Sequence, residues 1–492
     1  MTLKTAVRFS CLALALIALV LTATAPLFAI TDEEIFRDFR FNFINPGARA
    51  LGLGGAFVAM ADDSTATLAN PAGLVWLKRP ELFEEFRVQT VDTTETIEVN
   101  TDPTATVLGA TGTIASSTEP KNTFSPSFFS YVYPAGKWAV GIARQELFNI
   151  DNRTSSSNTF DPSFFGGLTF TGRGEIDTEI SNWIVSGAYK ITDTLSVGVS
   201  AVYSIMNLDS RVDNTFIDNS GFLVDDGDPN TPCLVCGIEI PFYTTKIHDT
   251  DSDLSYNLGI SWNIVKQVTV AASYRKGSKF TVTSELAQFF SNGAPFFEPA
   301  ISDPNVIGPT TEVTFHVPDS YSLGVAYRPL DRLTLSVEAA RIEYEDLLDG
   351  FTSGMNILTF KDCNTSNCSP NNNHPGANFV VEDRTELHLG GEYIFTVGTN
   401  PLAVRLGLYT DPDNRVRADF EKHTLATFGG FPIAPSDGQS LLSTNDSFPE
   451  RDDELHITAG AGIVIQDRFQ VDVAVDFSDI ADQYVLSSIY RF

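Results

Sequence analysis

The chain has 492 residues, with 32 Lys and Arg against 62 Asp and Glu and a formal net charge of −30. That balance leaves no basic face to neutralise phosphates, which excludes nucleic acid as a partner. Beyond the first 29 residues no apolar run approaches the roughly 18 residues of a membrane helix, so a membrane-spanning form must be a closed β-barrel.

Residues 1–29 read as a secretory signal peptide. Lys4 and Arg8 form a basic n-region, Cys11 to Leu21 an apolar stretch, and Leu27-Phe28-Ala29 a cleavage site before Ile30. The next unit, 30–79, centres on Gly52-Leu-Gly54-Gly55-Ala-Phe57, followed by Asp62-Asp63 and Asn70-Pro71-Ala72. It is not a dinucleotide loop, because Phe57 stands where the third glycine belongs and no βαβ unit follows. Small, apolar and too long for a mere lead-in, it is expected inside the lumen as a plug. Gly52, Gly54 and Gly55 then allow close approach to the wall. Asn70-Pro71 gives a rigid turn into the first strand, and Asp62 and Asp63 cap locally or pair with lumen arginines.

From residue 80 to 492 the pattern has period two. In Phe469–Phe477 the odd positions are Phe, Val, Val, Val and Phe, and the even ones are Gln470, Asp472, Ala474 and Asp476. Segments 195–205, 254–262, 268–274, 321–327, 333–339, 402–408 and 455–465 alternate alike. Short turns at 134–137, 191–194, 263–266, 328–332, 397–401 and 466–468 join them in pairs. Long polar connections at 92–121, 151–172, 212–246, 287–311, 351–382 and 411–451 separate the pairs. Short turns on one side and long loops on the other predict an all-β fold: a 14-stranded antiparallel transmembrane β-barrel of the outer membrane, from near Glu81 to Phe492. Trp138, Tyr189, Trp262, Tyr327, Tyr393 and Tyr490 would form the girdle on the short-turn side. A soluble β-sandwich is the rival, but its polar faces would carry Lys and Glu rather than Gly, Ser and Thr. Glu338, His388, Glu392, Arg405, Asp472, Asp476 and Arg491 are the expected lumen charges.

The third strand breaks the rule. With Trp138, Val140 and Ile142 facing out, alternation puts Arg144 and Glu146 in lipid, at a cost on the order of 2–4 kcal/mol at the midplane. A kink around Ala143, Arg144 and Glu146 avoids that cost, unless the stretch lies above the membrane. A similar slip is expected between Ala339 and Ile342. In or beside the long loops, Phe164-Phe165, Phe289-Phe290 and Phe296-Phe297 are apolar pairs that suit loop packing. Cys233, Cys236, Cys363 and Cys368 fit two disulfides in an exported protein, most simply as local pairs; the other pairings and a four-cysteine zinc site stay open. Asp225-Asp226-Gly227-Asp228 reads as a solvated loop in preference to a calcium site. With no nucleophile elbow, no His-Glu-x-x-His and scattered histidines, neither an enzyme nor a cofactor or metal is expected.

Ala48-Arg-Ala50, Gly52-Leu-Gly54-Gly55-Ala56, Ala61-Asp62-Asp63 and Asn70-Pro71-Ala72-Gly73-Leu74, in that order, resemble the N-terminal hatch of FadL-type outer-membrane transporters. That superfamily includes aromatic-hydrocarbon channels and PorV-like proteins. The resemblance implies a barrel, residues 80–492, plugged by the hatch, 30–79. It implies passive transport of long-chain fatty acids or similar hydrocarbons, captured in an apolar loop groove for which Phe164, Phe165, Phe289, Phe290, Phe296 and Phe297 are candidates, gated by the hatch and released sideways at a kinked third strand near Asn70, Pro71 and Ala72. Partners would be outer-membrane lipid, lipopolysaccharide and a hydrophobic ligand. The spelling Gly-Leu-Gly-Gly-Ala-Phe also suits the PorV-like branch, for which secretion-system proteins would be the partners.

Overall fold

Fourteen strands close into one antiparallel barrel in the computed structural model. It describes residues 41, 43–91, 117–118, 123–159, 168–218, 239–288, 310–348, 379–414, 417–418, 427–428, 431–432, 453–478 and 481–492. In chain order the wall is β1 (Glu81–Val91), β2 (Thr123–Ala135), β3 (Trp138–Thr159), β4 (Leu168–Lys190), β5 (Leu195–Asp218) and β6 (Glu239–Val265). Next come β7 (Val268–Arg275, resuming as Lys279–Gln288), β8 (Thr310–His316, resuming as Ser320–Leu330) and β9 (Leu333–Ile342). The remainder are β10 (Arg384–Val397), β11 (Asn400–Asp411), β12 (Glu454–Ile465), β13 (Phe469–Phe477) and β14 (Ala481–Arg491). Each strand pairs with its neighbour in sequence, and β14 closes on β1 with Glu81 opposite Arg491.

The alternation sorts the two faces. On β6, Leu254, Tyr256, Leu258, Ile260, Trp262 and Ile264 are exposed outside, while Ser255, Asn257 and Ser261 are buried inside. The span 254–264 matches the about 9–11 residues a tilted strand needs to cross a bilayer. The six girdle aromatics are all exposed beside the short turns, where amphipathic rings sit at head-group level. All seven expected lumen charges lie on the inner face.

Three features differ from the sequence expectation. First, β3 to β6 run 22, 23, 24 and 27 residues, so much of 151–172 and 212–246 is strand rather than loop. Above the membrane both faces of the ribbon meet water, and the alternation that reveals a strand disappears. Polar pairs directly across the ladder, such as Arg153 with Glu175 at 3.2 Å, take its place. Second, β9 shows no slip between Ala339 and Ile342. Its register is regular, Ile342 is buried, and Arg341 stays outside, paired with Asp383 at 2.9 Å. A charge at the outer end of a strand reaches a partner and needs no change of phase.

Third, β7 and β8 are interrupted side by side, at 276–278 and 317–319. Pro318 has no amide to give a ladder, and an added methyl on Gly277 would strike the Val317 carbonyl. Asp319 fills the break, accepting from the Tyr274 hydroxyl at 2.6 Å, the Gly277 amide at 2.8 Å and Lys276 Nζ at 3.0 Å. Opposite, carboxylates replace backbone carbonyls: Asp249, Asp251 and Asp253 of β6 accept the amides of Thr283, Thr281 and Lys279 at 2.9, 2.7 and 2.8 Å.

Candidate functional site

Inside the wall sits the leading segment, 43–80, held by side chains from most of the barrel. Its short helices α1 (Ala48–Leu51) and α2 (Ala66–Ala69) are, apart from Arg49, made of alanine, threonine and leucine that pack at close range. Between them the chain turns at Gly54 and Gly55, with φ of 62° and 77°, the left-handed region that favours glycine. The turn lies on the backbone of β10 and β11. A methyl on Gly54 would stand 2.7 Å from the Leu408 amide nitrogen, and one on Gly407 would strike the Gly54 nitrogen. Gly52 likewise abuts Gly460 of β12. The glycine run therefore serves seating of backbone on backbone. Gly407→Ala is expected to cost about 1–3 kcal/mol through overpacking, read as a lower heat-unfolding temperature. Gly187→Ala, whose methyl would meet nothing within 4 Å, is the neutral control. An unchanged temperature for Gly407→Ala would show that the turn is not seated there.

Polar anchors surround the turn. Glu338 of β9 accepts the amides of Phe57 and Val58, each at 2.8 Å. His388 Nδ1 donates to the Gly54 carbonyl at 2.7 Å, and its Nε2 faces Glu386 at 3.1 Å. Asn70 donates to Val58 and to Ile260 of β6 at 3.2 and 3.1 Å, and accepts from the Ala72 amide at 3.1 Å. It thereby caps the tight turn Pro71–Trp76, with Pro71 at a helical first position where no amide is needed. Ala72 is fully buried, and its carbonyl accepts from Ser196 at 2.8 Å.

Asp62 and Asp63 bond mainly within the segment, and Asp62 also meets a wall arginine, Arg328 of β8, at 3.6 Å. Asp63 caps Thr65, whose amide donates at 3.0 Å. Arg49 joins Asp62 at 2.6 Å, Asp63 at 3.3 Å and Glu392 at 3.4 Å, and Arg405 continues to Glu392 at 2.7 Å and Asp472 at 2.6 Å. This charge chain ties the segment to β10, β11 and β13. Burial works against the charge on Arg49, but Asp62, Glu392 and Asp63 outweigh it and hold its pKa well above the ordinary value. Burial raises the Asp63 carboxyl above its usual range; Arg49 and the Thr65 bonds oppose that, and Asp62 adds to it.

The backbone ladder also stops at a second place, between β2 and β3. β2 and β3 pair from Ala135 opposite Trp138 as far as Phe128 opposite Gln145, and there the ladder stops. β2 continues to Thr123 on β1 alone, with an irregularity opposite Phe86 that takes in Pro126. Among the described residues, β3 regains a partner on that side only at Thr154 and Ser155. Across the seam, side chains stand in for the ladder. Arg144 donates to the Pro126 carbonyl at 2.7 Å and to Glu179 of β4 at 2.7 Å, and the Ser125 hydroxyl bonds Glu146. The register shift of β3 falls between Glu146 and Phe148, not within 143–146. It turns two successive residues, Leu147 and Phe148, into the interior.

Apolar clusters flank the seam on its inner side. One lies above the hatch and includes Phe41, Leu147, Phe148, Ile180, Phe280 and Phe315, with Phe43 packed against it. The other joins Leu68 of the hatch to Phe83, Phe128, Ala143, Ile184 and Val202. Arg275 sits below the first cluster, and both its partners are neutral: the Phe43 carbonyl at 3.1 Å and the Asn45 side chain. On the short-turn side of the hatch a cavity of about 480 Å³ is lined by Arg49, Asp62, Asp63, Trp76, Glu81 and Arg328 among others, a charged setting that suits a hydrocarbon badly. Asp319, Glu343 and Asp346 are close enough to share a cation, but Asp319 is already bonded within the β7–β8 break.

The signal peptide, residues 30–40, Phe164, Phe165, Phe289, Phe290, Phe296, Phe297, Asp225–Asp228 and the cysteines Cys233, Cys236, Cys363 and Cys368 lie outside the described residues. Sequence reasoning missed Arg275, Leu147, Phe148 and Pro126. The last had a signal, since a proline inside a strand pattern marks an edge or a bulge.

Residues 43–411 match the model of a family described as outer membrane protein transport protein (OMPP1/FadL/TodX). The chain belongs to that family. OMPP1/FadL/TodX membership places it in the bacterial outer membrane as a transport protein. Its structure is similar to that of a Pseudomonas aeruginosa FadL homologue, with a TM-score of 0.53 and 13% identity over 95% of this chain and 100% of that one. It is also similar to the Ralstonia pickettii toluene transporter TbuX, with a TM-score of 0.48 and 16% identity over 92% and 99%. At 13% identity the likeness to the first of these speaks for the fold alone. Among functionally curated proteins, none matches the sequence.

Proposed function

We propose that the barrel carries hydrophobic molecules passively across the outer membrane and releases them sideways between β2 and β3. One observation carries this reading: the wall lacks backbone bonds at the seam where Leu147, Phe148 and Phe128 bring apolar clusters to its inner side. An apolar solute gains by moving from one greasy surface to the next, and a charged passage under the hatch offers it nothing. The external loops collect the molecule, the upper cluster receives it, and the hatch closes the straight route.

Arg275 favours a ligand with an acid head, such as a long-chain fatty acid. A half-buried guanidinium whose hydrogen bonds go to a carbonyl and an amide oxygen has a stronger partner in a carboxylate. The bound tail would replace Phe41 and Phe43, and the head would replace the groups that Arg275 now holds.

Reconstituted in vesicles, the protein is expected to accelerate entry of a fluorescent fatty acid into lipid. Arg275→Gln should weaken binding of the acid about tenfold, the loss of roughly one charge-assisted bond, and leave a neutral hydrocarbon untouched. No acceleration for either ligand would refute transport. Equal losses for both would refute the role of the head group alone.

A further inference from the structure

Charge is divided unevenly between the two ends of this acidic barrel. The outer reaches of β3 to β6 carry Glu175, Asp177, Asp209, Asp249, Asp251 and Asp253 against few cations. The short-turn rim has the opposite sign. Five of its six hairpin turns hold or adjoin a cation: Lys137, Lys190, Lys266, Arg332 and Arg468. Lys78 and Arg79 join them where the hatch passes into β1, and Arg328 ends β8 beside the rim. Only Asp193, Asp331 and Asp467 oppose them in the same turns.

The depth of these cations is fixed by their neighbours. Lys137 adjoins Trp138, Lys190 adjoins Tyr189 and Arg328 adjoins Tyr327, all girdle aromatics exposed on the outer wall. Residues directly past such a girdle stand at the level of lipid head groups. Lys78, Lys137, Lys266, Arg332 and Arg468 are exposed, and no ion pair among the described residues holds them. Others are used locally: Lys190 Nζ lies 4.5 Å over the Trp76 ring, and Arg79 donates to the Asp467 carbonyl at 2.6 Å.

Like charges gathered in one plane repel unless an anionic layer faces them. A chain with twice as many acids as bases has no compositional reason to concentrate bases there. We propose that the rim is a collar that binds the anionic phospholipid head groups of the periplasmic leaflet. A lipid surface fits better than an acidic protein, because the cations follow the circumference from the β2–β3 turn to the β12–β13 turn rather than forming one face. The collar would fix the height and tilt of the barrel and is independent of what the barrel carries.

The test uses the whole folded barrel in vesicles of phosphatidylcholine, with or without phosphatidylglycerol. Phosphatidylglycerol is expected to raise the heat-unfolding midpoint by several degrees at low salt, and high salt should erase the rise, since exposed charges are screened. The variant Lys137→Gln/Lys266→Gln/Arg332→Gln/Arg468→Gln should unfold like wild type in phosphatidylcholine and lose the rise in the mixture. Equal wild-type midpoints in the two lipids would overturn the proposal, and so would a full rise kept by the variant. If the variant fails to fold, the salt dependence of the wild type still decides. A collar that serves an acidic protein gives no lipid-dependent rise, which also overturns it.

Discussion

Tying β2 to β3 across the seam is expected to stop transport. In the variant Ser125→Cys/Glu146→Cys, a short bis-methanethiosulfonate cross-linker, which forms a disulfide with each cysteine and releases sulfinate, should lower uptake by an order of magnitude or more, and reduction should restore it. The expectation rests on how little holds the seam. Parting two laddered strands in lipid exposes a row of backbone groups at several kcal/mol each. Here the ladder has already ended at Phe128 and Gln145, and what remains is bonding by Arg144, Glu146 and Ser125. Charge-assisted bonds are worth about 1.5–3 kcal/mol each, and the two that cross the seam, Arg144 to Pro126 and Ser125 to Glu146, replace a ladder of many. The seam is therefore a weak line in the wall. Ligand binding to the cross-linked protein should persist, because the upper cluster is untouched. Undiminished uptake after complete cross-linking would exclude the seam as the exit.

Removing one carboxylate should release the centre of the hatch. Glu338 is 3% exposed and accepts the Phe57 and Val58 amides together. Glu338→Ala leaves two buried donors without their acceptor, at about 1–3 kcal/mol each. Those two amides are expected to exchange with solvent roughly a hundredfold faster, a local opening of the kind exchange reports. Glu338→Gln keeps one carbonyl oxygen and should fall between wild type and Ala. The barrel should unfold at nearly the wild-type temperature, since the ladder of β9 is unaffected. Leakage of small polar solutes should increase with the exchange rate. Unchanged protection of Phe57 and Val58 would mean that the hatch is held mainly by the charge chain of Arg49, Glu392 and Arg405.

What the sequence disclosed depended on the solvent around each residue. Where lipid lies on one side and packed polar groups on the other, alternation is strong, and Leu254 to Ile264 or Phe469 to Phe477 can be read directly. Above the membrane the same strands continue through Arg153, Arg173, Arg211 and Asp213 with water on both faces, and the pattern vanishes. The glycines of the hatch announced close approach, but not the strands they approach, because contacts such as Gly54 with Gly407 join residues remote in the chain. Arg144 and Glu146 announced a conflict on β3. Its resolution, a shift at Leu147 and bonds to Pro126 and Glu179, requires partners that spacing does not reveal. The slip expected between Ala339 and Ile342 on β9 does not occur, because Arg341 stays outside in an ion pair with Asp383.

The route is tested most directly by a fatty acid carrying a photoreactive group in its tail, activated on the barrel in membranes and mapped by peptide mass. Lateral release predicts adducts on Leu147, Phe148 and Phe128, at the seam and in the clusters beside it. Adducts confined to the charged cavity under the hatch, at Trp76, Arg49 and Arg328, would show straight passage through the bore and contradict it.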